Sequence, residues 1–219
     1  KKILEMRPLV NSEIGKLKSV IVHQPGPEVE NMTPANAQRA LYSDILNLSV
    51  ASKEFAEFSA LLNSLMDVYY ITDLLAEALK NENARYELIE QICKLEQAND
   101  IKNQLYELDQ QALAIQLIEG VLINRDTLTR FLSKERFSLK PLHNFFFTRD
   151  AAVTVGNEIL TGRMANQVRM RESLIYKMIF NYHPLFEKTT IDLPSSSSNG
   201  SVSLEGGDIL VAREDVLLI

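Results

Sequence analysis

Hydrophobic positions change their spacing several times along the chain, and each change marks an element. Leu17 to Val22 alternates and then runs apolar before Pro25, Gly26 and Pro27, which predicts a buried strand ended by a turn. Thr33 followed by Pro34 predicts a helix start, with a hydroxyl at the N-cap and proline where its missing N–H costs nothing. Val50 to Met66 carries Phe55, Phe58, Leu61, Leu62 and Leu65 at helical spacing, and Val68 to Ile71 is rich in strand formers. The first stretch is therefore a strand, helix, strand unit.

From Asp73 to about Leu139 the spacing becomes helical throughout: Leu74, Leu75 and Leu79, then Leu88, Ile92 and Leu95, then Ile101, Leu105, Leu108, Leu113 and Leu117. Gly120 is the one glycine there and proline is absent, so a bundle of helices is expected, with Asp126 capping a last short one. Strand patterning then returns. Ala151 to Val155 and Glu158 to Thr161 flank Gly156-Asn157, two residues that tolerate positive φ and so predict a tight hairpin. A helix is expected from about Gln167 to Phe180 and a strand over Thr189 to Leu193, followed by a loop at Ser195 to Ser198.

The last residues repeat that pattern. Asp150 opens an apolar strand, a turn and a second strand, and Asp208 does the same over Ile209 to Ile219. A recurring unit that cannot bury its own sheet implies modules packed around an axis. The boundaries expected are 1–72 for a first α/β module, 73–139 for an inserted all-helical subdomain, 140–194 for a second module and 195–219 for the start of a third, cut within its second strand. A partial set of modules leaves sheet edges and apolar faces uncovered, so the isolated piece is expected to associate.

Composition narrows the chemistry. Of 219 residues, 46% are hydrophobic and 24% charged, which is ordinary core-forming material. The net charge of -6 and the lack of a basic block argue against nucleic acid and against an anionic membrane surface. No apolar run reaches the roughly 20 residues of a membrane span, and the expectation is a cytoplasmic protein. Cys93 is the one cysteine, so no intrachain disulfide forms, and it sits among Ile92 and Leu95 as packing material. His23, His143 and His183 lack metal-ligand spacing, and no metal or other cofactor is expected.

Three polar clusters stand beside the strand starts: Pro141 to Asp150, with Asn144, Phe147 and Arg149; Arg163 to Glu172, with Arg169 and Arg171; and Leu204-Glu205-Gly206-Gly207-Asp208. A guanidinium is planar, permanently charged and made of donors, so carboxylates such as Asp150 and Glu205 suit it as paired acceptors. The plainer reading of Asp150 is a turn residue paired with Arg149, and that of Arg169 is an exposed arginine paired with Glu172, worth little. Phe145 and Phe146 read as core.

In this order and spacing the clusters resemble the motifs of arginine deiminases, in the guanidine-modifying pentein superfamily. Ser12-Glu13-Ile14-Gly15-Lys16-Leu17 and Met32-Thr33-Pro34-Ala35-Asn36 resemble that family's opening segments, so the likeness covers nearly the whole chain as an N-terminal part. It implies an α+β fold: a partial pentein-type propeller of ββαβ modules with an inserted helical bundle. It implies conversion of L-arginine, or a related guanidine compound, to citrulline and ammonia through a cysteine amidino-thioether. By the same resemblance Asp150 and Glu205 grip the guanidinium, Glu205 also orients a catalytic histidine, and Arg169 and Asn144 hold the carboxylate end. Phe147 packs on the aliphatic stem, the Leu41 carbonyl receives the amine, Gly206 and Gly207 permit close backbone approach, and Asp208 fixes the turn. Arg163 and Arg171 are read as structural, and His143 as a local variant.

The family's His-x-Asp motif and late cysteine have no counterpart in these residues, and Cys93 lacks a neighbouring base. The chain alone is expected to be inactive. Left open are an amidinotransferase or other guanidine hydrolase, a non-catalytic arginine-binding module, and assembly as a homo-oligomer.

Overall fold

A computed structural model describes residues 7–31, 46–132, 135–186, 190–192 and 203–219. Helices and strands are mixed in the α+β manner expected. Leu41, the Thr33-Pro34 helix start and the serine loop at 195–198 lie outside the described residues.

Strand β1 (Ser19–Val22) is followed by a one-turn helix α1 (Pro27–Glu30) and, later, by α2 (Leu48–Leu65) and β2 (Asp67–Tyr70). β1 and β2 pair in parallel, Ser19 with Asp67 through Val22 with Tyr70. Parallel neighbours need a crossover, and α2 supplies it. Asn47 starts that helix, its side chain accepting from the Val50 N–H at 3.2 Å. The apolar face of that helix stays open in part: Phe58, Leu61 and Leu65 are each more than half exposed. Phe55 on the same helix meets the rings of Phe58 and Tyr70, each with centroids 6.4 Å apart.

Next come α3 (Ile71–Ala78), α4 (Glu82–Leu95), α5 (Lys102–Glu107) and α6 (Gln110–Glu119). Asn81 and Asp109 cap α4 and α6, accepting from the Ala84 and Ala112 N–H groups at 3.3 and 2.8 Å. Gly120 ends α6 at φ +88°, pressed so close to the next segment that a β-carbon would stand 2.6 Å from the Leu139 carbonyl oxygen. The stretch is not helical throughout. β3 (Val121–Leu122) and β4 (Phe137–Leu139) form an antiparallel pair, with the short α7 (Leu128–Leu132) between them. The residue before α7 is Thr127, so Asp126 falls one position short of the cap expected of it.

The strands that follow carry the motifs. A helical turn, α8 (Thr148–Ala151), leads into β5 (Ala152–Val155), which pairs antiparallel with β6 (Glu158–Thr161) across Gly156 at φ +59°. A 3-10 turn at Gln167–Arg169 opens α9 (Met170–Tyr182), the crossover to β7 (Thr190–Asp192), parallel to β6. A second 3-10 turn, Gly206–Asp208, leads into the antiparallel pair β8 (Leu210–Arg213) and β9 (Val216–Leu218). An acid-bearing turn ahead of a hairpin thus occurs twice, at Asp150 and at Asp208.

An apolar cluster joins the helical stretch to α9. Leu75, Leu88, Ile92, Cys93, Leu113 and Leu117 share it with Phe145, Ile175 and Ile179. Helices α3 and α4 therefore press against the same helix whose first turn carries Arg169. Buried Arg171 adds a polar tie, its Nε 3.2 Å from Glu96 and its Nη2 donating to the Lys140 carbonyl. Among the described residues no helix is long and apolar enough to cross a membrane.

Candidate functional site

The three clusters converge through close backbone contact before any charge is considered. A β-carbon on Gly206 would stand 1.9 Å from the Arg149 carbonyl oxygen, and one on Gly162 would stand 2.4 Å from that of Asp150. Glycine is the residue that lets these chains touch. The Arg163 and Leu204 backbones exchange hydrogen bonds at 2.9 and 3.0 Å, which brings the third cluster alongside the second.

Arg149 then fastens the first cluster to the third. Its Nε donates to the Gly206 carbonyl at 2.9 Å, and its Nη2 donates to the Ile209 carbonyl and to Glu13 Oε1, both at 2.6 Å. The Glu13 carboxylate also accepts from the Val211 N–H at 2.9 Å, and these partners outweigh partial burial to hold it below its usual range. The pairing of Arg149 with Asp150 is thereby overturned: that guanidinium points away, to a partner far back in the sequence.

Asp150 instead meets Arg169. Arg169 Nη1 lies 2.8 Å from Asp150 Oδ2 and 3.6 Å from Glu205 Oε2. The other edge is held by Glu172, with Nε donating at 3.1 and 3.2 Å and Nη2 at 2.8 Å. One guanidinium is thus shared by three carboxylates. Arg169 is only 7% exposed, so the exposed surface pair suggested by its spacing from Glu172 is a buried fork instead. Burial alone would lower the Arg169 pKa, but Glu172 and Asp150 outweigh it and raise it. Burial pushes the Glu172 carboxyl up to about 7, against the pull of Arg169.

Local structure fixes each of these groups. The Asn166 side chain accepts from the Val168 N–H at 3.0 Å, starting the turn that presents Arg169. Asp208 accepts from the Glu205 N–H at 3.0 Å, fixing the turn as expected of it, and Glu205 accepts from the Ala165 N–H at 2.9 Å. The side chains of Asp150 and Glu205 keep 24% and 23% of their surface, whereas Glu172 keeps 1%. The two partly open carboxylates face the accessible side of the cluster and the closed one backs it.

The remaining expected residues stand nearby in sequence with different settings. Asn144 is buried and its carbonyl accepts from the Phe147 N–H at 2.9 Å. Phe145 is core, against His23 and Tyr176; Phe146 is half-buried, and Phe147 packs on its ring with centroids 4.5 Å apart while remaining 49% exposed. His143 Nδ1 lies 2.5 Å from the Glu28 carbonyl oxygen, tying this loop to α1. Burial raises the Cys93 thiol, which sits inside the helical core as packing material.

Gly162 and Glu13 were not singled out for the site by pattern alone, and Glu172 was singled out only as the other end of the motif of Arg169. A signal existed for Glu172, since three residues along a helix from Arg169 places the two on one face. Nothing local marks Glu13 or Gly162, because each meets its partner through tertiary approach.

The family model for arginine deiminase matches residues 38–219. Arginine deiminase from Listeria monocytogenes is 33% identical over 224 residues, covering 96% of this chain and 54% of that protein. Those from Bacillus cereus and Pediococcus pentosaceus are 34% and 35% identical with the same coverage, so the chain spans about half the length of these relatives. On the family match, reinforced by likeness along nearly its whole length, the chain belongs to the arginine deiminase family.

Proposed function

We propose that this chain is part of an arginine deiminase, a hydrolase converting L-arginine and water to L-citrulline and ammonia. The observation that supports the reading most is the meeting of Asp150, Arg169 and Glu205, drawn from three separate motifs, around one guanidinium. In the reaction a thiolate adds to the guanidinium carbon, ammonia leaves, and water releases citrulline from the amidino-thioether, with a histidine moving the protons. Buried Cys93 is not offered as that thiolate.

Asp150 and Glu205 are assigned to the substrate guanidinium, Glu205 also orienting the acid–base histidine. Arg169 and Asn144 are assigned to the α-carboxylate, Phe147 to the aliphatic stem and the Leu41 carbonyl to the amine. Residues 1–72, 140–194 and 195–219 are read as successive modules of a pentein-type propeller and 73–139 as an insertion. The twice-used acid-bearing turn ahead of a hairpin supports that reading.

The test is direct. The full-length protein, treated with chelator and dialysed, is incubated with L-arginine while citrulline and ammonia are measured. Equal amounts of both, undiminished by the chelator, are expected. Absence of citrulline, or activity abolished by chelation and restored by metal, would sink the assignment.

A further inference from the structure

The slot assigned to the substrate's guanidinium already holds one. Arg169 Nη1 lies between Asp150 Oδ2 and Glu205 Oε2, at 2.8 and 3.6 Å. A single nitrogen fills that position, so a second guanidinium using those same two oxygens would overlap it. Arg169 cannot simply leave, because Glu172 grips its opposite edge through Nε and Nη2. What remains is a pivot, with the Glu172 fork kept and the Nη1 edge lifted from the slot.

We infer that Arg169 is the resident guanidinium of the Asp150–Glu205 slot, that a guanidine ligand takes its place by exchange, and that the exchange favours ligands which also carry a carboxylate. The inference rests on the reading of Asp150 and Glu205 as the guanidinium site. Its physical content is a balance of partners. With no ligand bound, two carboxylates held close by the Arg149 and Gly206 contacts repel each other, and the Arg169 cation offsets that repulsion. An incoming guanidinium restores the cation but leaves the Arg169 Nη1 edge without its acceptors. A ligand carboxylate at the other end supplies a new acceptor, whereas a guanidine lacking one leaves that donor edge in a mostly buried place. Selectivity thus arises from what the displaced arginine does next, as well as from what the ligand touches.

Methylguanidine, which has the cation and no carboxylate, separates these effects. In the full-length protein with Arg169→Gln, methylguanidine should bind about tenfold or more tighter than to the wild type, while the KM for L-arginine rises by about a hundredfold. The preference for arginine over its decarboxylated form should collapse in the same variant. Unchanged or weaker methylguanidine binding overturns the inference. Because removing a positive charge also favours a cationic ligand, structures of the wild-type protein with and without methylguanidine decide the matter, even if the variant does not fold. Arg169 Nη1 in contact with Asp150 when empty, and out of hydrogen-bond range when methylguanidine is bound, supports exchange. Both cations side by side on Asp150, or no methylguanidine in the slot, refutes it. Should the exchange be seen in a protein that makes no citrulline, the proposed activity falls and the exchange stands.

Discussion

Gly206 lies against Arg149 so closely that a β-carbon on it would be 1.9 Å from the Arg149 carbonyl oxygen, a backbone atom that cannot rotate aside. That contact sets the separation of the first and third motifs, and with it the gap between Asp150 and Glu205.

Gly206→Ala should therefore push the two segments apart. The expected cost is about 2 kcal/mol or more of stability, with turnover falling further than stability alone explains. Gly156→Ala is the control: its β-carbon would meet nothing within 4 Å, and only the positive φ of +59° is strained. Its cost should be about 1 kcal/mol with turnover kept. Thermal unfolding and citrulline assays on both variants check the pair; equal effects would mean that the Gly206 contact does not shape the site.

Arg149 offers a sharper division between charge and shape. Its bonds to the Gly206 and Ile209 carbonyls satisfy backbone acceptors, whereas its pair with Glu13 is partly exposed, at 45% and 25% for the two side chains. Exposed pairs contribute little after screening, roughly 0–1 kcal/mol. Glu13→Gln should thus be mild and become milder in high salt, while Arg149→Met should cost about 2 kcal/mol. Urea titrations at low and high salt distinguish these, and a Glu13→Gln effect as large as that of Arg149→Met would reverse the argument.

How much of this was legible in the sequence depended on whether the cause was local. The hairpin at Gly156 could be read because a two-residue turn demands positive φ. The helical stretch could be read from apolar spacing, and the acids that meet Arg169 from their motifs. The β3–β4 pair escaped because Val121-Leu122 is too short to show alternation. The exposure of Phe58, Leu61 and Leu65 could not be assigned from spacing, which tells which residues share a face and not whether anything covers it. The plainer reading that paired Asp150 with Arg149 rested on adjacency alone, whereas Glu13, the partner of Arg149, is brought near only by the fold. The Arg169–Glu172 spacing was visible, yet its weight was not, since an i,i+3 pair is weak at a surface and strong when enclosed.

Glu172 makes that enclosure measurable by pH. Its carboxyl rises from an ordinary 4.5 to about 7 on burial. Between those values the folded state holds a proton that the unfolded state has lost, so the contribution of Glu172 to stability is fully present below about pH 4.5 and is lost as pH rises toward 7. Comparing wild type with Glu172→Gln by urea unfolding from pH 5 to pH 8 should show a stability difference that moves against the wild type as pH increases, then flattens. A difference that is flat, or that moves the other way, would mean that the fork with Arg169 outweighs burial and keeps Glu172 ionised throughout.

Asp150→Asn separates a substrate contact from a structural one at the centre of the cluster. The amide keeps the shape of the side chain and one oxygen able to accept from Arg169 Nη1, so the loss to the fold should be small, about 1 kcal/mol for a pair that is part exposed. A substrate guanidinium would lose far more, because one paired N–H contact becomes a clash between two donors and the charge that favours the reacting cation is gone. Turnover of L-arginine should fall by roughly two to three orders of magnitude while thermal unfolding moves by only a few degrees. Arg149→Met supplies the contrast, expected to weaken the fold more than Asp150→Asn does while lowering turnover less. If Asp150→Asn instead unfolds the protein, or turns over arginine at close to the normal rate, Asp150 serves the fold as the partner of Arg169 and the guanidinium contact must be sought elsewhere.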